Sequence, residues 1–230
     1  MHTTILIKPT PWDTMAFNMP TWELLEYSAT ALQQANQTPG HYTLKVDPLT
    51  DKYLLHKYGF YYCDTLLEPY CTSIQLCKPD HPNTKISRQV QWTELLSICH
   101  ESFAHGRFHR DFNLDKAHAD LRYNNWLKQL YEKNTVYGLF WNEELAGFIA
   151  HNNNNLALHA LAKPYRGQGL AKYWWGAVCH DLLMTGHAEV RSSISATNLA
   201  ALNLYTSLGF RFRNPLDVYH LLVNDSKNKE

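Results

Sequence analysis

The sequence predicts an α/β fold in which helices alternate with the strands of a mixed sheet. Three observations carry that expectation. Apolar residues recur at helical spacing in several blocks, short β-branched and aromatic runs separate those blocks, and glycine or asparagine marks most of the joins.

The elements follow in chain order. Trp92, Leu95, Leu96, Cys99 and Phe103 share one helical face, and Tyr123, Leu127 and Leu130 mark a second helix over about residues 115–133. TVYGLFW (135–141) and ELAGFIAH (144–151) read as strands joined by Asn142 and Glu143 as a hairpin turn. The asparagine run 152–155 is another turn, and LALHALA (156–162), nearly continuous in apolar residues, reads as a central strand. Ala171, Trp175, Val178 and Leu182 form the next helical face, closed by Gly186. AEVRSSIS is a strand, Asn198 an N-cap for a helix running to Leu208, and Gly209 its end. GFRF and VYHLLV complete the pattern as two strands.

Composition narrows the function. Hydrophobic residues at 45% and charged residues at 18% fit a globular chain. Lys plus Arg is 21 and Asp plus Glu is 21, so no net field recruits a polyanion, and no nucleic-acid partner is expected. No apolar stretch reaches the roughly 20 residues of a membrane helix, so no membrane partner is expected either. The opening MHTTILIKPTPW lacks a secretory apolar region, and the five cysteines (Cys63, Cys71, Cys77, Cys99, Cys179) are odd in number and irregularly spaced. The expected setting is a reducing cytoplasm, with thiols used for packing.

The stretch 77–85, CKPDHPNTK, has two prolines and little apolar content and reads as a linker. It divides the chain into a lobe over 1–84 and a domain over 85–230. LLHKYGFYY (54–62) echoes LYTSLGFRF (204–212), with Leu54, Gly59 and Phe60 each 150 positions before Leu204, Gly209 and Phe210. Both read as a helix end, a glycine and a strand, so the first lobe reads as a reduced copy of the second, without its glycine loop.

That loop is RGQGLA, Arg166 to Ala171, between the central strand and a helix. A helix N-terminus offers unpaired N–H groups and partial positive charge, which suits a pyrophosphate. Gly167 and Gly169 let the backbone approach phosphates closely, and Arg166 adds a charge-assisted contact. No Gly-Lys-Ser/Thr follows, so it is not a P-loop, and it lacks the third glycine of a dinucleotide fingerprint.

Arg-x-x-Gly-x-Ala after a strand resembles the acetyl-CoA pyrophosphate loop of the GCN5-related N-acetyltransferases (GNAT). NLAALNLYTSLGF (198–210) resembles the second signature of that family, Asn-x-x-Ala-x-x-Leu-Tyr-x-x-x-Gly-Phe. The resemblance covers about residues 86–224. It implies the GNAT fold, with a smaller degenerate GNAT-like lobe before it, and acetyl-CoA as cosubstrate. It further implies that the central strand splays from its neighbour near Leu161 and Ala162, followed by Lys163. Arg166, Gly167, Gln168, Gly169, Leu170 and Ala171 wrap the pyrophosphate, while Asn198 and Ala201 flank the thiol end. Tyr205 is the implied general acid for the departing thiolate. The glutamate that many relatives use as base has no counterpart at Leu156 or its neighbours; His159 is the candidate base, with a core role or a water relay as alternatives.

PWDTMAFNM (11–19) and SFAHGRFHRD (102–111) resemble segments of a two-lobed subgroup that includes the TDP-fucosamine acetyltransferase. This implies an amino-deoxysugar on a nucleotide diphosphate as acceptor, with Arg107 and Arg110 at a phosphate and Phe108 and His109 at sugar or base. Another small-molecule amine and a peptide amine stay open, as do a homodimer and a non-catalytic acyl-CoA sensor. No metal is expected, because neither His105 and His109 nor Cys71, Cys77 and His81 show tight metal-ligand spacing. Trp175 fits the buried helical stripe, and Trp174 is expected to pack against the other lobe.

Overall fold

The structure is a computed structural model that describes residues 5–100 and 102–224. Its elements are β1 (Ile7–Pro9), α1 (Pro11–Phe17), β2 (Thr21–Leu24), α2 (Ala29–Ala35), β3 (Gly40–Val46), α3 (Tyr53–Lys57), β4 (Tyr61–Thr72), β5 (Thr84–Ser87), α4 (Trp92–Cys99), α5 (Arg107–Arg110) and α6 (Lys116–Glu132). There follow β6 (Val136–Trp141), β7 (Glu144–Asn152), β8 (Asn155–Leu161), a 3-10 turn (Lys163–Tyr165), α7 (Ala171–Met184), β9 (Glu189–Ser192), β10 (Ile194–Ser195), α8 (Leu199–Ser207) and β11 (Arg211–Val223). β2 with β3 and β8 with β9 are parallel, while β1–β2, β3–β11, β4–β9, β5–β6, β6–β7 and β7–β8 are antiparallel.

The chain forms two compact units that interleave in sequence. The first holds residues up to Leu66, His105–Arg122 and the chain from Pro215 on; the second holds Leu67–Ala104 and Tyr123–Asn214. A single break near residue 84 is therefore not where the units divide. Thr84–Ser87 is strand β5, paired with β6 inside the second unit. The 77–85 stretch is tied down as well: Cys77 N–H donates to the Leu208 carbonyl at 3.0 Å, and a side chain at Gly176 would meet Lys78 at 3.3 Å. Its prolines and polar residues cover α7 instead of forming a tether.

In the second unit the sheet runs β4-β9-β8-β7-β6-β5. Strand alternation sends Tyr137, Leu139 and Ile149 to one face and Val136, Phe148 and Ala150 to the other. The first face packs on α7 and α8 through Trp174, Trp175, Val178, Leu182 and Tyr205. The second packs on α4 and α6 through Leu95, Cys99, Leu127 and Leu130. Trp174 belongs to the unit's own core: it is fully buried, and its indole N–H donates to the Phe140 carbonyl at 2.9 Å. Asn142 and Asn153 make the two turns with φ of 53° and 51°, which asparagine tolerates. Two expectations change in detail. Helix α4 stops at Cys99, before Phe103, which instead stacks on Tyr123 at 4.4 Å. GFRF and VYHLLV are parts of one strand, β11, with Asn214 at φ 51° absorbing the turn-like Asn-Pro.

The first unit pairs β1-β2-β3-β11 and buries Leu24, Leu32, Tyr42, Leu44, Leu55, Phe60, Tyr219 and Leu221. Its polar centre is Asp111, 2% exposed. His41 Nε2–H and His220 Nδ1–H donate to its carboxylate at 2.9 and 2.7 Å, the Tyr61 hydroxyl donates at 3.0 Å, and Asn113 N–H donates at 2.9 Å. Burial alone would raise this carboxyl, but the hydrogen bonds from His220 and His41 hold it well below the usual range. The atoms of His41, Asp111 and His220 lie within 4.8 Å of one another, a donor set a metal could use. The two N–O separations are hydrogen-bond lengths, shorter than the about 3.3 Å edge of a tetrahedral zinc site.

The echo at 150 positions is repeated in the hydrogen bonding. At the end of α3, Tyr58 N–H donates to Leu54, Gly59 N–H to His56 and Phe60 N–H to Leu55. At the end of α8, Leu208 N–H donates to Leu204, Gly209 N–H to Thr206 and Phe210 N–H to Tyr205. Gly59 and Gly209 have φ of 78° and 85°, left-handed positions that close both helices. The order strand, helix, parallel strand, helix, long strand is also shared, as β2-α2-β3-α3-β4 and β8-α7-β9-α8-β11.

Burial pushes His220 down to about 3 and His159 down to about 4, so both are neutral in the folded chain near pH 7. The unfolded chain binds those protons from about pH 6.5 downward. Stability is thus fully present above 6.5 and is lost as pH falls toward 4, by about 1.4 kcal/mol per unit for each histidine. Urea unfolding at pH 5 should give a stability lower than at pH 7 by on the order of 2–4 kcal/mol; equal midpoints at the two pH values would contradict these assignments.

Candidate active site

The site begins with one extra residue. Ala150 pairs with Leu158 and His151 with Leu156, so Ala157 is a bulge in β8. A bulge bends its strand, and β8 leaves its parallel neighbour at that point. β8 and β9 pair only at Asn155 with Arg191 and Leu156 with Ser192. From Ala157 to Leu161 the β9 side of the strand is unpaired. Beyond Ser192 the chain turns away to β4, where Ile194 and Ser195 form β10. The two strands thus open into a wedge, as expected near Leu161 and Ala162, although it starts four residues earlier than Leu161.

The wedge leads to the glycine loop. Gly167 and Gly169 have φ of 72° and 71°, a conformation that glycine adopts without cost, and a Cβ at either would meet none of the described residues within 4 Å. Arg166, Gly167, Gln168 and Gly169 are exposed. Helix α7 starts at Ala171 without a capping side chain, because Leu170 at its N-cap has none to offer. Tyr173 N–H donates to the Leu170 carbonyl at 3.1 Å, and no side chain caps the amides before it. Lys163, Arg166 and Lys172 flank the helix start in sequence, and residues 160–180 contain no Asp or Glu. Main-chain donors, helix dipole and cations all favour a polyanion here.

Arg166 is engaged in the free protein. Its Nε donates to the Leu161 carbonyl at 2.7 Å and its guanidinium to Ser102 Oγ at 2.8 Å. The first contact satisfies one of the main-chain groups that the wedge leaves open. Gln168 turns back on the Pro164 carbonyl, and the Tyr165 hydroxyl donates to Glu144 at 2.6 Å, which together fix the loop.

At the inner end of the wedge stand His159 and Tyr205. The Tyr205 hydroxyl lies 3.1 Å from His159 Nε2, and Tyr205 is fully buried, with its ring edge-on to Phe210 at 4.8 Å. Burial pushes its phenol well above the ordinary value, while Ser192 and Trp175 beside it act in the opposite direction. His159 is neutral, and its other nitrogen serves its own main-chain carbonyl. Nε2 is then a lone pair, and the Tyr205 O–H donates to it. Asn198 caps α8 by accepting from Ala201 N–H at 3.1 Å, which sets the helix that carries Tyr205.

The residues expected at the acceptor lie in the first unit and are held there. Phe108 is 1% exposed in the core with Phe17 and Leu114, so it cannot present a face to a sugar or base without unpacking. Arg110 is paired with Asp64 at 2.8 Å, His109 with Asp120 at 2.9 Å, and Arg107 lies 4.5 Å over the Phe108 ring. The aromatic and basic letters of GRFHRD serve internal packing and ion pairs. Ser192, Trp175 and the Ala157 bulge were not legible as site features; the last has no sequence mark, since alanine is ordinary in a strand.

A wedge of parallel strands, an uncapped glycine-loop helix and a buried phenol thus lie together in the second unit. Residues 109–218 match the family model of the acetyltransferase (GNAT) domain. Solved structures agree at the level of fold. A GCN5-related N-acetyltransferase from Sphaerobacter thermophilus superposes with a TM-score of 0.69 at 10% identity, covering 95% of this chain and 76% of that one. A tandem GNAT protein from the clavulanic acid biosynthesis pathway gives 0.53 at 10% identity, covering 90% and 76%. A GCN5-related glucosamine N-acetyltransferase region of a fungal multi-domain beta-N-acetylglucosaminidase gives 0.59 at 11% identity, covering 89% of this chain and 30% of that one. A search of curated protein sequences finds no match.

Replacing Gly169 by Val should weaken acetyl-CoA binding at least about tenfold in calorimetric titration, because a side chain would stand where phosphate oxygens approach and φ near 71° strains it. The fold should survive, since none of the described residues lies within 4 Å of the new Cβ. Unchanged affinity would move the phosphate site elsewhere.

Proposed function

We propose that the protein transfers the acetyl group of acetyl-CoA directly to a primary amine. The observation that carries this reading is the Ala157 bulge and the wedge it opens, which leaves a strand edge unpaired beside a buried tyrosine hydroxyl. An extended, amide-bearing pantetheine arm can pair with that edge as a missing strand would, while its diphosphate meets the α7 amides.

In the reaction the amine nitrogen forms a bond to the thioester carbonyl carbon, and the carbonyl oxygen takes up negative charge. Open N–H groups of β8 suit that oxygen. The C–S bond then breaks, the thiolate takes a proton from the Tyr205 hydroxyl, and the ammonium nitrogen gives up a proton to water. His159, at about 4, is too weak a base to strip an ammonium group near neutral pH. Its role is to hold the Tyr205 phenol by accepting its hydrogen bond in the resting state.

The first unit acts as a non-catalytic partner derived from the same βαβαβ plan. Leu55 stands where the second unit has Tyr205, 150 positions on, and Ser28 caps α2 by accepting from Ala31 N–H at 3.2 Å. Strands β2 and β3 pair from Thr21 with His41 to Glu23 with Thr43 in unbroken register. The tandem organisation of one structural relative supports this reading.

The acceptor is a small-molecule amine, and amino sugars, free or nucleotide-linked, come first among candidates. The subgroup resemblance and the glucosamine N-acetyltransferase region among the structural relatives support that order. Thiol release from acetyl-CoA, measured with amino sugars, nucleotide-linked amino sugars, polyamines and amino acids, tests both donor and acceptor. Release with one class above the rate in buffer is expected; a melting shift with acetyl-CoA but no release with any amine would mark a sensor. With the best amine, Tyr205→Phe should lower turnover about a hundredfold and leave acetyl-CoA affinity within about twofold. A wild-type rate would remove Tyr205 from the mechanism.

A further inference from the structure

Trp175 carries a polar group that packing does not explain. It lies on α7, one turn into the helix after the glycine loop, and is 3% exposed. Among the described residues its indole Nε1–H has no acceptor within hydrogen-bonding distance, an unusual state for a buried donor, which ordinarily costs on the order of 1–3 kcal/mol. An indole N–H can only donate. A core position with no partner would be served equally well by phenylalanine.

The surroundings show what it waits for. The Trp175 ring stands edge-on to His159 at 5.2 Å, and Tyr205 is edge-on to His159 at 6.1 Å. Burial raises the Tyr205 phenol, while Ser192 and Trp175 act in the opposite direction. Ser192 is 2% exposed, and its hydroxyl proton is committed to the Leu156 carbonyl at 2.8 Å. His159 Nε2 is an acceptor and cannot stabilise an anion. Among these neighbours the indole N–H is the donor left uncommitted.

Resting on the reading of Tyr205 as the acid, we propose that Trp175 is a positioning residue that receives the charge left on the Tyr205 oxygen when its proton goes to the departing thiolate. The O–H bond of Tyr205 breaks, an S–H bond forms on coenzyme A, and the phenolate oxygen draws in the Trp175 N–H. The tyrosine regains a proton from the ammonium group of the product-forming amine through solvent, so the cycle balances. A buried phenol in apolar surroundings is a poor acid on its own, and a pre-placed donor corrects this where charge develops.

The test is a double-mutant cycle read by thiol release, with acetyl-CoA and hydroxylamine, a nucleophile small enough to need no acceptor pocket. Trp175→Phe should lower kcat about ten- to hundredfold, the range for a hydrogen bond to a charged group, with KM for acetyl-CoA within twofold. In a Tyr205→Phe background the same substitution should cost nothing further, because Trp175 acts through that oxygen. An equal loss in both backgrounds would show a packing role and overturn the inference while leaving Tyr205 as the acid. A wild-type rate for Tyr205→Phe, or no protein-dependent release at all, would overturn the acid reading and this inference with it. Should Trp175→Phe fail to fold, benzothienylalanine at 175 keeps the ring shape and replaces only the N–H by sulfur. It should show the same kcat loss, and an unchanged kcat would overturn the inference.

Discussion

An unpaired strand edge inside a sheet is the constraint on which the second unit is organised. Main-chain N–H and C=O groups that lose their partners cost about as much as a lost hydrogen bond each, so proteins seldom leave them open. The Ala157 bulge imposes that state on β8 from Ala157 to Leu161. In the free protein the Arg166 guanidinium takes the Leu161 carbonyl. In the proposed reading a ligand with amides along an extended arm replaces it, and an anion at the end of that arm meets the start of α7. The bulge, the glycine loop and the uncapped helix are thus one device. Removing the bulge would close the strands and leave the loop with nothing to lead to.

The first unit shows the same plan with that device absent. Its parallel strands pair from Thr21 with His41 to Glu23 with Thr43 without a bulge, its helix is capped by Ser28, and the tyrosine position holds Leu55. Its interior carries a buried carboxylate in place of a site. Asp111 accepts from His41, His220, Tyr61 and Asn113, joining β3, β11, β4 and the segment after α5 through one side chain. Leaving such a group without its donors would strand a buried charge, which is among the most costly errors a core can contain. Polar hydrogen bonding thus serves cohesion in one unit and chemistry in the other.

The sequence was most legible where local chemistry decides the outcome. Helical spacing, the asparagine turns at 142 and 153, the Asn198 cap and the glycine ends at 186 and 209 are short-range features, and the structure has them. The glycine loop and the Asn198 to Phe210 signature were legible because close approach and capping demand particular residues. The unit boundaries were hidden because the prolines of 77–85 pack onto α7, a tertiary outcome that composition does not record. GRFHRD misled for a related reason: Phe108, His109 and Arg110 have partners in Leu114, Asp120 and Asp64, some of them distant in sequence. The meeting of His159 with Tyr205, 46 residues apart, is a property of the sheet and not of either motif.

The central claim is that an acyl-CoA lies in the β8–β9 wedge with its diphosphate on the amides at the start of α7. Backbone amide chemical-shift mapping with coenzyme A measures this directly. The account predicts the largest shifts at Gly167 to Lys172 and along Ala157 to Leu161, with the first unit's β2 and β3 unmoved. Shifts concentrated elsewhere, with those two stretches unchanged at saturation, would contradict it.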